Sequence, residues 1–327
     1  MLEHFRDVAR LSLLVNLAAL AGGCDDSAWN GHNGCGYDWY ANNHAILPDS
    51  DLADCPNSNR TIHYCEGVPE RQRIDDLRVN YHVDDRINTA LKVAARRYPL
   101  GLWFMTGNRD CARWMDRWFP VEDTRTFDDV LRCLNLTIHE MGHFFDLGEG
   151  RVPGTDTFCV LVDWCLTIPE DTYTFNRDQI VSLLEEDDLN QYYQIYLTGE
   201  VGAQDFSTLL EELTQFINSL FYSYMVIDVM SPDLVWPTRD GLLNMMYFTE
   251  LYLRLGESDY PGVYGSILET EAYRELIKTL WGRAEFVLGL SEEYKDRLSA
   301  DGEDDRVTAK VYREENIRTI IAIRDYH

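Results

Sequence analysis

Residues 126–146 constrain this chain more than any other stretch. Apolar side chains recur at Val130, Leu131, Leu134, Ile138, Met141 and Phe145, the three-and-four spacing of one helix face. Thr126, with Asp129 three residues on, resembles a capping box, and Asp128 and Asp129 suit the positive end of a helix dipole. Gly148 supplies a stop. The segment predicts an amphipathic helix that must lie against a core. Within it, His139, Glu140, Met141, Gly142 and His143 form a His-Glu-x-x-His pattern. Residues four apart share a helix face, so the two imidazoles converge on one point with Glu140 at the same rim.

That arrangement suits a divalent metal. Two neutral imidazoles are good zinc ligands, and a zinc so held brings the pKa of its water towards neutrality and polarises a carbonyl. Glu140 is positioned to take the proton from such a zinc-bound water. The segment from Leu136 to Asp146 resembles the active helix of the zincin metallopeptidases. The resemblance covers this helix and one later helix, not the whole chain. It implies Zn2+ as cofactor, His139 and His143 as ligands, Glu140 as catalytic base, and a polypeptide as substrate.

A catalytic zinc takes three protein ligands plus water. The only later histidine is His327, so a carboxylate is expected in third place. Two patterns compete. In the gluzincin-like one the ligand is a Glu on a downstream helix, here the stretch from Ser207 to Ile217. Counting from Glu211 gives Leu213 at +2, Thr214 at +3, Gln215 at +4, then Phe216 and Ile217, which matches except for an amide where an acid often stands. The Gln215 carbonyl can still accept an imidazole N–H. Glu212 is the alternative, nearer the apolar stripe. In the metzincin-like pattern Glu149 takes the third position, and Asp228 to Pro232, around Met230, resembles a Met-turn. Asp146 replaces the turn glycine and no third histidine is present, so this pattern ranks below the first. For oxyanion stabilisation Tyr192, Tyr193, Tyr222 and Tyr224 are available, with nothing to single one out.

The rest of the chain reads as helix-dominated. Helical patterns cover about 84–97, 110–118, 177–186, 205–225, 240–255 and 269–288, while 100–105 reads as a short apolar strand. The expected fold class is mainly α, α+β only through a small sheet before the central helix, organised as a zincin-like catalytic domain over residues 63–327. Residues 25–62 are rich in Asn, Gly, Asp and Pro and read as a tether with an irregular Cys-containing segment.

The N-terminus reads as an export signal over residues 1–24. Arg6 and Arg10 precede an apolar stretch from Leu11 to Leu20, then Ala21, Gly22, Gly23 and Cys24. The ending resembles a bacterial lipobox, which implies lipid on Cys24, a membrane association through that anchor alone, and an extracytoplasmic location in the cell envelope or outside it. Eight cysteines agree with an oxidising compartment, Cys159 and Cys165 being the expected local pair. The formal charge of −27 sets this surface against phosphate backbones, so no nucleic-acid partner is expected. A non-catalytic surface lipoprotein that binds a partner, with a relic or structural metal site, is the alternative reading.

Overall fold

The computed structural model describes residues 61–326 apart from 109, 110, 149 and 171, and for 111–114 it describes the backbone alone. The export-signal reading, almost all of the tether, Cys24, Cys35, Cys55 and Glu149 therefore lie outside the described residues. The chain is mainly helical. In order it forms α1 (Asp75–Val79), α2 (Arg86–Arg97), α3 (Pro99–Gly107), α4 (Cys111–Trp118) and α5 (Phe127–Leu147). A hairpin of β1 (Thr155–Leu161) and β2 (Trp164–Pro169) follows, then 3-10 turns, α6 (Gln191–Tyr196) and α7 (Gly199–Gly202). The second half holds α8 (Phe206–Val226), α9 (Thr238–Asp259), α10 (Pro261–Glu269), α11 (Glu271–Leu290), α12 (Lys295–Leu298), α13 (Glu303–Val311) and α14 (Glu314–Asp325). The hairpin is the only sheet among the described residues.

Helix α5 begins where its local chemistry demands. Thr126 Oγ1 accepts the Asp129 N–H at 3.2 Å, and Asp129 Oδ2 accepts the Thr126 N–H at 2.9 Å, so two otherwise orphaned donors are satisfied reciprocally. Val130, Leu131, Leu134, Ile138 and Met141 are wholly buried. Each such burial stabilises by about 1.5–3 kcal/mol relative to exposure. That packing, rather than propensity, holds a helix in place in water.

Helix α8 is enclosed by its neighbours. It starts at Asp205, whose Oδ1 accepts the Thr208 N–H at 3.1 Å. Seventeen of its residues are buried, on every side of the helix, as befits an element surrounded by others. It packs against α5, α9 and α11. Buried polar groups peg it to α5. Asn135 Nδ2 donates to Ser219 O at 2.8 Å and to Ser223 Oγ at 2.9 Å, and the Tyr222 hydroxyl donates to Leu131 O at 3.1 Å. These partners ascend α5 while descending α8, so the two helices are antiparallel and their register is fixed.

Three local expectations change. Residues 100–105 belong to α3, not to a strand. A short apolar run buried on most sides has no readable period, and Pro99 at the first helical position pre-sets φ for a helix. The small sheet follows the central helix instead of preceding it. The 177–186 pattern forms only the 3-10 segment Arg177–Leu183. Cys159 and Cys165 pair in a disulfide, directly opposite one another in the hairpin. Cys65 is disulfide-bonded too, and Cys133 is a free thiol whose pKa burial pushes up to about 11.

Candidate metal centre

His139 and His143 project from one face of α5 towards α8. Their Nε2 atoms are 3.2 Å apart. Glu212 Oε2 lies 3.5 Å from each of them. Three ligands on a tetrahedral ion with bonds of about 2.0–2.1 Å stand about 3.3–3.4 Å from one another. The observed edges of 3.2, 3.5 and 3.5 Å are close to that range. Glu212 Oε2 is also buried with no hydrogen-bond partner, which is costly unless a cation completes it. Two imidazole lone pairs and a carboxylate facing one another at this range repel unless a proton or metal ion lies among them. Two imidazoles and one carboxylate form a donor set that could hold a divalent metal ion. His143 and Glu212 are partly exposed while His139 is buried, so the group opens to solvent on one side.

Each imidazole is oriented from behind. His143 Nδ1 is bonded to the Glu211 carboxylate, and His139 Nδ1 lies 3.2 Å from Ser219 Oγ. A neutral ring that donates Nδ1–H outward to these partners would turn its Nε2 lone pair to the centre. The Phe216 ring packs edge-on to His139 at 4.9 Å between centroids. It can do so because Gly241 on α9 has no side chain: a Cβ there would stand 2.2 Å from the ring. Burial works against a charged His143, but the Glu211 and Glu212 carboxylates more than offset it, and its pKa lies well above the usual value. Burial likewise opposes the charged Glu212, yet His143 and His139 hold its carboxyl below the ordinary range.

Glu140 is buried on the same helix. Burial first, then the Glu212 and Glu140 carboxylates, raises the Tyr196 hydroxyl far above its normal pKa. Tyr196 is thus a neutral donor whose hydroxyl feels both carboxylates, and its ring rests against Phe216 at 5.7 Å. Arg177 is fully buried. Its Nε donates to Val201 O at 2.8 Å and its Nη2 to Gln204 Oε1 at 2.6 Å. Burial lowers its pKa, and the Glu212 carboxylate is the largest charge opposing that shift. A buried cation therefore sits within the field of the acidic centre.

The residues expected from sequence divide clearly. His139, His143 and Glu212 come together, with Glu140 on the same helix. Glu211 approaches His143 through Nδ1, on the side away from Glu212. Gln215 touches neither imidazole; its amide lies between Asp146 and Glu211. Asp228 pairs with Arg97, and Met230 is a buried core residue whose carbonyl accepts from Arg297. Of the tyrosines considered, Tyr222 donates to Leu131 O and Tyr192 to Pro237 O, while the Tyr224 ring packs under the Arg71 guanidinium. Tyr193 donates its backbone N–H to Asn190 Oδ1.

Tyr196, Arg177 and Ser219 were not legible from the chain. One signal for Glu212 was. Glu212, Phe216 and Ser219 stand at i, i+4 and i+7, so they share the face of α8 that meets both histidines. Glu211, Gln215 and Asn218 form the neighbouring face by the same rule. No family model, curated protein or solved structure matches this chain.

Proposed function

We propose that this protein is a zinc-dependent hydrolase of polypeptides, with the metal held by His139, His143 and Glu212 and with Glu140 as general base. The observation that carries the reading is the triangle of two Nε2 atoms from the His-Glu-x-x-His helix and one buried carboxylate oxygen from α8, with edges of 3.2, 3.5 and 3.5 Å. A third ligand from a later helix favours a zincin-like catalytic domain of the gluzincin type. Bound zinc would act as a Lewis acid on a scissile carbonyl and on water. The chain's own residues supply the rest. Glu140 takes the proton of the attacking water and hands it to the leaving nitrogen. The Tyr196 hydroxyl donates to the developing oxyanion. Glu211 and Ser219 keep the two imidazoles in the tautomer and orientation that the metal requires.

An export signal and a lipid anchor at the N-terminus would place the protein outside the cytoplasm, and the Cys159–Cys165 disulfide suits such an oxidising setting. No helix among the described residues is long and apolar enough to cross a membrane.

The test is metal analysis of the purified protein together with hydrolysis of an unfolded polypeptide. One zinc per chain is expected. Glu140→Gln should retain that zinc and lose roughly 10²–10⁴-fold or more in kcat. A well-folded protein that takes up no zinc, or a Glu140→Gln variant with wild-type hydrolysis, would sink the assignment. Zinc binding without hydrolysis would point instead to a structural metal site on a partner-binding surface protein.

A further inference from the structure

Behind the metal ligands runs a buried line of polar contacts that zinc ligation alone does not require. It starts on the hairpin. The Cys159 backbone N–H donates to Asp146 Oδ1 at 3.0 Å. Asp146 Oδ2 accepts from Gln215 Nε2 at 3.2 Å, and the same amide donates to Glu211 Oε1 at 3.2 Å. Glu211 then holds His143 Nδ1. Gln215 is wholly buried and Asp146 nearly so.

The chemistry of this line is specific. Two carboxyl groups share one –NH2 group, and a primary amide is the neutral side chain that offers two N–H donors from one nitrogen. Gln215 Oε1 is itself fixed by Asn218 Nδ2 at 3.0 Å, so the amide cannot turn over without losing three contacts. Room for it is made by Gly142, inside the His-Glu-x-x-His pattern: a Cβ there would stand 2.0 Å from Gln215 Oε1. The far end is anchored covalently. An isolated two-stranded hairpin is marginal in water, and the Cys159–Cys165 disulfide ties this one shut at the residue whose N–H grips Asp146.

We propose that Asp146 and Gln215 are positioning residues for the metal centre, and that they carry the rigidity of the disulfide-clamped hairpin to His143. The inference rests on the zinc reading above. Glu211 can aim His143 only if its own carboxylate is held, and Gln215 is what holds it on the side away from the imidazole. Loss of the amide leaves Glu211 free to rotate. Opening the disulfide frees Asp146 and, through Gln215, has the same result.

The experiment is zinc affinity by chelator competition on the full-length chain, with the visible spectrum of the cobalt-loaded protein as a second readout. Wild-type protein must first bind zinc tightly; if it does not, the functional reading fails and this inference falls with it. Given tight wild-type binding, Gln215→Leu should weaken zinc by about ten- to a hundredfold and alter the cobalt d–d bands. A Cys159→Ala, Cys165→Ala pair should weaken it in the same direction. Combining all three changes should cost no more than the larger single loss, because both act along one line. Thr214→Val serves as the control: its Oγ1 bonds only Leu210 O on the same helix, and it should leave affinity unchanged. Wild-type affinity in a folded Gln215→Leu, losses that multiply in the combination, or an equal loss in Thr214→Val would each overturn the proposal.

Discussion

Glu211 and Glu212 are adjacent in sequence and do opposite work. Successive residues on a helix are rotated by about 100°. One carboxylate therefore reaches the Nε2 side of the histidines and the other the Nδ1 side of His143. Pattern-counting along α8 ranks Glu211 first because the residues after it fit a known spacing. In the structure Glu212 is the acid that faces both Nε2 atoms, on the face that also carries Phe216 and Ser219, the two side chains that meet His139. Tyr196 is the corresponding surprise among donors. It precedes α8 in sequence, on the short helix α6, and only folding brings its hydroxyl under the influence of Glu140 and Glu212. Replacing it tests its role cleanly. Tyr196→Phe keeps the ring against Phe216 and removes one donor. We expect kcat on a polypeptide to fall by roughly 10²-fold, with zinc affinity unchanged. An unaltered kcat would remove Tyr196 from the chemistry.

At the level of elements, α5 was readable almost to the residue. Its start is written in Thr126 and Asp129 and its face in the apolar period, and both signals are local. Helices α8, α9 and α11 were readable for the same reason. Helix α3 was not, since six nearly continuous apolar residues carry no period that separates helix from strand. The capping box permits a direct check. Thr126→Ala removes the Oγ1 acceptor from the Asp129 N–H and should lower unfolding stability by about 1 kcal/mol. The cap lies at the opposite end of α5 from His139 and His143, so zinc affinity should not change. Denaturant unfolding and chelator competition on the same sample measure both. A fall in zinc affinity would mean that fraying at the start of α5 reaches the metal.

On the scale of the whole molecule, charge is distributed by solvation. A net charge of −27 is tolerable where water screens it, and the few acids held inside show the cost. Asp240, in the first turn of α9, is nearly fully buried, and its Oδ1 has no partner while Oδ2 accepts the Ala300 N–H at 2.8 Å. Burial, with Glu303 and Asp304 adding to it, raises its pKa to about 6. The folded state therefore favours the protonated form. Its contribution to stability is fully present below the unfolded value of 3.8 and is lost as pH rises through about 6. Asp240→Asn carries no charge to desolvate. The variant should be more stable than wild type at pH 7–8 by roughly 1–3 kcal/mol, and thermal unfolding should show the gap closing towards pH 4. A gap independent of pH would contradict burial as the cause.

Local pattern and side-chain chemistry were thus enough for the dominance of helices, the central amphipathic helix with its cap, the histidine pair with Glu140, and the hairpin disulfide. Each depends on residues within a turn or two of one another. The third carboxylate, the partners behind the imidazoles and the tyrosine beside them depend on how α5 and α8 are rotated and registered against each other. That register is set by contacts such as Asn135 to Ser219 and His139 to Ser219, the latter 80 residues apart in the chain. The period of a single helix says which side is apolar; it contains no information about which of two neighbouring acids will face a particular imidazole across an interface.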